Sequence, residues 1–310
     1  MLNHNITVIS DIHDDYKYGF YLDIIKKWGV KHEFVKFYRF ISPLNDIKYI
    51  HSLYEILKRD NYDMVINIST KPNIYGSIAA KIAGVNIIMS SVWGLGLMFS
   101  GEKNIKSIAL KAIATFLYRV AFMVNHHIWF TNKNDYDYFF SRKIIDEKKT
   151  ILTKNYVNTK QYAPRIVSNQ KTSSLKNSLG YSESDQVVIM LSRLSWAKGV
   201  REFCEASDLL RDTYPSLKFL LVGHEDIGSS DCVPRGYIEK YQAYENFNWI
   251  GFRQDVKELY SISYLAVYPS YYREGGYPRG LTEPMAMGKP VIGTDSIHCS
   301  AAVENGVSGL

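Results

Sequence analysis

Short runs of consecutive apolar and β-branched residues recur along the chain, each followed by a stretch with helical spacing. The runs fall at 6–10, 33–37, 63–68, 86–90 and 128–131, then at 186–192, 218–222, 264–268 and 290–293. Unbroken runs such as 264–268 (YLAVY) predict strands covered on both faces of a parallel sheet. Helical patterns fill the intervals, for example at 47–59, 75–83 and 200–211. Strand and helix alternating in this way predict βαβ units, and the series occurs twice. Between the two series lies a polar stretch, 158–178, with a proline, a serine cluster and neither period. The expected organisation is α/β, with two Rossmann-like doubly wound parallel-sheet domains at 1–160 and 179–310, joined by a linker at 161–178. The most apolar helix, 108–124, is interrupted by Lys111 and Arg119 and is short for a bilayer span. With Lys103, Lys106, Lys111 and Arg119 beside Phe116, Leu117, Phe122 and Met123, it reads either as a helix packed on its own sheet or as one resting in a membrane interface.

The length of 310 residues leaves each domain enough chain for its own core, and 46% apolar with 22% charged residues describes an ordinary globular protein. A formal charge of +6 suits an anionic small substrate or a weak attraction to an anionic membrane, and falls short of a nucleic-acid footprint. Cys204, Cys232 and Cys299 are odd in number and far apart, which predicts reduced thiols and neither a disulfide framework nor a zinc site. Residues 1–4 lead straight into the first strand without a secretory pattern, so the expected location is cytoplasmic.

The segment 269–295 carries the chemistry. It reads as strand end, glycine-bearing loop, short helix, tight turn and strand. Gly275, Gly276 and Gly280 allow tight turns and close approach of a ligand to the backbone. Thr282 is placed as N-cap, Pro284 in the first helical turn, and Gly288 just past the helix end, before Pro290. A helix starting at the carboxyl end of a parallel strand is an anion site. Glu274 and Glu283 beside it make little sense for phosphate alone, but they suit the hydroxyl donors of a nucleotide-sugar.

This segment resembles the E-x7-E region of retaining GT-B glycosyltransferases of family 4, and LSRLSWAKGV at 191–200 resembles that family's ARL-x-x-x-KG element. Val222-Gly223 and Tyr268-Pro269-Ser270 lie between the two in the family's order. Asn73 to Gly76 and Trp93-Gly94-Leu95-Gly96 are similar to the branch that extends lipid-linked oligosaccharides for capsule, O-antigen or exopolysaccharide. The resemblance implies two domains facing across a cleft. It also implies transfer of a hexose or N-acetylhexosamine from a nucleotide-sugar, UDP by analogy, to a lipid-diphosphate-linked saccharide with retention. Such an enzyme would be cytoplasmic or peripheral on the inner membrane face and would use no metal or other cofactor.

By the same resemblance Arg193 and Lys198 grip the diphosphate, where cations stabilise the departing charge. Glu274 accepts from sugar hydroxyls and Glu283 from the ribose diol. Gly275, Gly276, Arg279, Gly280, Leu281 and Thr282 surround the donor, Arg253 stands in the loop near the nucleobase, and Gly94 and Gly96 belong to the N-terminal domain's cleft loop. Three departures are visible. Eight residues separate the two acids instead of seven, His298-Cys299 replaces a glycine with an Arg-Glu pair nearby, and the helices that usually close the second domain are missing after Leu310, so that domain reads as truncated. A nucleotide-sugar-binding remnant without turnover is the alternative they leave open. Asp11-x-His13 imitates the start of a two-metal phosphoesterase, but no Gly-Asp occurs in the chain to continue it. Asp135-Tyr136-Asp137 is expected to be a solvated capping region.

Overall fold

The computed structural model describes residues 4–12, 19–38, 41–95, 99, 105–153, 156–272 and 274–310. The chain divides into two compact units, Met1–Val92 with Lys103–Leu152, and Trp93–Glu102 with Thr153–Leu310. The boundary therefore falls a little before the expected 160, and the segment after Val92 belongs to the second unit.

In the first unit β1 (Thr7–Ser10) pairs in parallel with β2 (Lys31–Phe34). A four-stranded parallel sheet follows the order β3 (Met64–Ile68), β4 (Ile87–Val92), β5 (His127–Phe130), β6 (Thr150–Leu152). The helices are α1 (Gly19–Lys27), α2 (Pro43–Asp60), α3 (Ser77–Ala83), α4 (Ile105–Val124) and α5 (Lys133–Phe140). A π-helical turn, Pro72–Gly76, leads into α3. A Cβ on Gly76 would stand 2.2 Å from Asn67 Oδ1, so only glycine lets that turn lie against β3. On α4 the positions Ala114, Tyr118, Ala121 and Phe122 form the buried stripe, and the Tyr118 ring lies 5.0 Å from that of Phe139 on α5. Asp135 is fully buried and not solvated as expected: Asn132 caps α5 by accepting from its N–H and donates to its carboxylate.

The second unit holds a parallel sheet of β7 (Gln186–Leu191), β8 (Leu217–Val222), β9 (Phe247–Trp249), β10 (Ser263–Tyr268) and β11 (Val291–Gly293), in the order β11-β10-β7-β8-β9. Around it lie α6 (Asn169–Ser178), α7 (Val200–Leu210), α8 (Arg235–Gln242), α9 (Val256–Ile262), α10 (Arg279–Ala286) and α11 (Ile297–Ser300). Side chains alternate between faces along β7: Val187 and Ile189 pack with Leu259, Tyr260 and Leu281, while Val188 and Met190 pack with Val200, Phe203 and Leu221. Both faces are thus covered, which is why β7 reads as an unbroken apolar run. The strand order reverses between β7 and β10, and in such sheets ligands bind beyond the carboxyl ends of the strands at that point.

The expected linker contains a helix. Ser168 caps α6, Leu175 packs against the core, and the buried Lys176 donates to the carbonyls of Glu183 and Asp185 at 3.0 and 2.9 Å. One apolar anchor in ten residues is too little to show as a period.

Candidate active site

Two loops meet where the strand order reverses. The first leaves β7 through Arg193 and a 3₁₀ turn, Trp196–Lys198, before α7. Gly199 makes the junction at a φ of +82°, and a Cβ there would stand 2.2 Å from the Pro269 carbonyl oxygen. That contact sets the end of the Lys198 turn directly against the loop leaving β10.

Lys198 is buried, and its ammonium donates to Glu274 Oε1 at 2.5 Å and to the Tyr268 hydroxyl at 2.9 Å. The Tyr268 hydroxyl and Ser270 Oγ each donate to the same carboxylate oxygen at 2.8 Å. Tyr272 offers its ring face to the ammonium, 4.6 Å from the centroid. Burial pushes the Lys198 pKa down; the Glu274 charge opposes that shift, and the positive charge of Arg193 adds to it. Burial also carries the Tyr268 phenol well above 10, so it stays a neutral donor.

Arg193 keeps a half-exposed guanidinium, 2.8 Å from the Asp226 carboxylate. Arg253 is joined to Asp255 by two hydrogen bonds, one of 2.8 Å from Nε. A cavity of about 340 Å³ opens past the ends of β8 and β9, lined by His224, Glu225, Arg235, Trp249 and Phe252 among others.

The expected position of Glu283 requires correction. α10 starts at Arg279 with Pro278 at its N-cap, so Thr282 is an interior residue whose hydroxyl donates to the Pro278 carbonyl, and Pro284 lies inside the helix. Glu283 is therefore past the first turn. Its buried carboxylate pairs with Arg279 Nε at 2.8 Å and accepts from Tyr162. Burial raises its pKa, while Arg279 and Tyr162 pull the other way. The earlier start follows from Gly280: a Cβ there would lie 2.5 Å from the Tyr268 ring, so the helix can begin tight against β10. Leu281 is buried in the core of the second unit.

Gly94, with a φ of +108°, and Gly275 touch backbone to backbone: a Cβ on Gly275 would stand 1.6 Å from the Trp93 carbonyl oxygen. Gly276 has a φ of +135°. Gly94 and Gly275 thus serve a close chain contact within the second unit. Gly96, Arg273, His13 and Lys103 lie outside the described residues. His298 is buried in α11. Cys204, Cys232 and Cys299 are free. Among the described residues no group of three or more His, Cys, Asp or Glu side chains is gathered as a metal ligand set.

The structure thus joins Lys198 to Glu274, and holds Arg193, Arg253 and Glu283 in separate ion pairs. Tyr268 and Ser270 as donors to Glu274, and Tyr162 as donor to Glu283, were not singled out by the sequence. A doubly wound sheet with a cation and a carboxylate at its reversal point fits the expected GT-B class, and comparison with known proteins assigns that class. The model described as glycosyl transferases group 1 matches residues 171–310, and that described as glycosyl transferase 4-like matches 3–132. The chain belongs to this glycosyltransferase family. It is 27% identical over 270 residues to the N,N'-diacetylbacillosaminyl-diphospho-undecaprenol alpha-1,3-N-acetylgalactosaminyltransferase of Campylobacter jejuni, covering 87% of this chain and 69% of that protein. It is 26% identical over 274 residues to the UDP-Gal:alpha-D-GlcNAc-diphosphoundecaprenol alpha-1,3-galactosyltransferase of Escherichia coli, covering 88% and 68%. Among solved structures, Anabaena HepE in complex with UDP and glucose has a TM-score of 0.75 at 18% identity, over 99% of this chain and 85% of that one.

Proposed function

We propose that this glycosyltransferase moves a hexose or N-acetylhexosamine from a UDP-sugar to a saccharide carried on a lipid diphosphate, with retention, in surface polysaccharide assembly at the cytoplasmic face of the membrane. The observation that carries the proposal is the Lys198–Glu274 pair at the reversal point of the sheet, inside a chain whose relatives act on diphosphoundecaprenol-linked saccharides.

The chemistry follows from the charges. Breaking the anomeric C–O bond leaves a diphosphate that gains negative charge, and preorganised cations stabilise it as it forms. Lys198 and Arg193 are the cations, and each is now neutralised by a carboxylate, Glu274 and Asp226. An incoming diphosphate takes over the ammonium, which frees Glu274 to accept from sugar hydroxyls while Tyr268 and Ser270 keep it in place. α10 starts without a side-chain cap, the open helix end that phosphates favour. The cavity bounded by His224, Trp249 and Phe252 suits a flat nucleobase. With two cations in place no metal cofactor is invoked.

Calorimetry with UDP and UDP-sugars, followed by transfer to a lipid-diphosphate saccharide, tests the proposal. Lys198→Ala is expected to cost about 10²–10³-fold in turnover, the loss typical of one transition-state charge partner. Binding of UDP without transfer by the wild-type chain would leave a nucleotide-sugar-binding protein and overturn the enzyme reading.

A further inference from the structure

Arg193 and Lys198 stand on one loop, and a second loop is laced along it. Just past β8, Gly223 comes so close that a Cβ there would stand 1.7 Å from the Ser192 carbonyl oxygen. From that point the chain runs beside residues 194–197. Leu194 N–H donates to the His224 carbonyl at 2.9 Å, Trp196 N–H to that of Asp231 at 2.9 Å, and Val233 N–H to that of Leu194 at 3.1 Å. Ser195 and Cys232 form an antiparallel bridge, and the Asp231 carboxylate accepts from Ala197 N–H at 3.2 Å. These bonds hold the backbone that joins the two cations. His224 and Glu225, on the second loop, line the cavity offered to the nucleobase, so that loop borders the same ligand.

Asp226 follows them. It is buried, and its carbonyl closes a turn by accepting from Ser229 N–H at 3.0 Å. Its Oδ2 accepts from Arg193 Nη1 at 2.8 Å. A carboxylate on a tied backbone therefore meets an arginine side chain that is 37% exposed.

The two cations differ in what a diphosphate asks of them. The Lys198 ammonium is buried and donates to Glu274 and Tyr268, so it must change partners. A guanidinium carries five N–H donors in a rigid fork, and the bond to Asp226 uses one nitrogen. The edge formed by Nε and Nη2 can take two phosphate oxygens while Nη1 keeps its carboxylate. An untethered arginine would have to be immobilised on binding, at a cost in affinity.

We propose that Asp226 is a positioning residue: it stays paired with Arg193 Nη1 and points the remaining edge of the guanidinium at the donor's diphosphate. This rests on the reading of Arg193 as a diphosphate cation.

Calorimetry with UDP, with melting temperatures taken alongside, tests both. Asp226→Ala is expected to weaken UDP binding by about two- to tenfold, the cost of ordering one long side chain. Asp226→Asn, which keeps an acceptor for Nη1, should recover most of that loss. The double variant Arg193→Ala with Asp226→Ala should bind no more weakly than Arg193→Ala, because Asp226 acts only through the arginine. Arg193→Lys, at an exposed side chain whose exchange spares the fold, keeps the charge but loses the fork and should also bind UDP more weakly. Tighter UDP binding by Asp226→Ala would make Asp226 a competing counter-ion and overturn the proposal. So would an asparagine variant as weak as the alanine one, a further loss in the double variant, or wild-type affinity in Arg193→Lys. Weakened binding by Arg193→Ala with none by Asp226→Ala would overturn this proposal alone. Unchanged binding by Arg193→Ala would remove Arg193 from the proposed function, and the proposal with it.

Discussion

Glu283, which is buried, and Glu274, which is partly buried, are acids nine positions apart in sequence, and their partners give them different behaviour. Glu274 shares one oxygen among Lys198, Tyr268 and Ser270. Glu283 has one cation, Arg279, whose guanidinium is largely in solvent and is therefore a weak screened partner. Burial is the larger influence on Glu283 and raises its carboxyl above the ordinary 4.5. The folded protein then holds that proton to higher pH than the unfolded chain does. The resulting contribution to stability is complete below 4.5 and is lost as pH rises through the folded value. Glu283→Gln should accordingly flatten the fall in melting temperature over that window, and melting curves of both proteins from acid to neutral pH check it; parallel curves would contradict the assignment. Lys198 and Glu274 stood out through the family resemblance of their segments, and the structure joins them, whereas Glu283 was placed at a helix start it does not occupy and Arg193 pairs with Asp226 instead. Tyr268 did not stand out. An aromatic side chain at a strand end reads as core, and its ring is indeed core; only the structure shows the hydroxyl reaching the ammonium.

At the scale of elements, the strands buried on both faces were legible as runs, whereas β6 and β9, three residues each, offer too little pattern to separate them from loops. α6 was hidden by its polarity, and the start of α10 was misplaced because Thr282 carries a stronger capping signal than Pro278. Close packing decided the latter. Gly280 faces the Tyr268 ring with no room for a methyl group, so the first turn of α10 is fixed to the end of β10. Gly280→Ala should destabilise the protein by about 1–3 kcal/mol through overpacking, read from urea unfolding. Tyr268→Leu in the same chain should recover part of that loss by removing the ring. If the alanine variant alone were as stable as wild type, α10 would not be held by this contact.

Over the whole molecule the site groups fall in one unit. Lys198, Glu274, Arg193, Glu283, Gly94 and the cavity beside Trp249 all belong to the second unit. The groups proposed to hold the nucleotide are thus confined to one of the two units. A ligand that binds only the folded protein stabilises it by an amount set by concentration over affinity, about 2.7 kcal/mol at a hundredfold excess over Kd. That stabilisation should appear in the unit that makes the contacts. Hydrogen exchange with saturating UDP is expected to slow at the end of β7, in the turn bearing Lys198, at the end of β10 and at the start of α10. Exchange in β3, β4, β5 and β6 should stay unchanged, because none of those strands supplies a group to the diphosphate. Lys198→Ala should abolish the protection at β7 and β10 together, since one ammonium links the two loops. Protection confined to the first unit, or protection that survives Lys198→Ala, would place the nucleotide somewhere other than the reversal point of the second sheet.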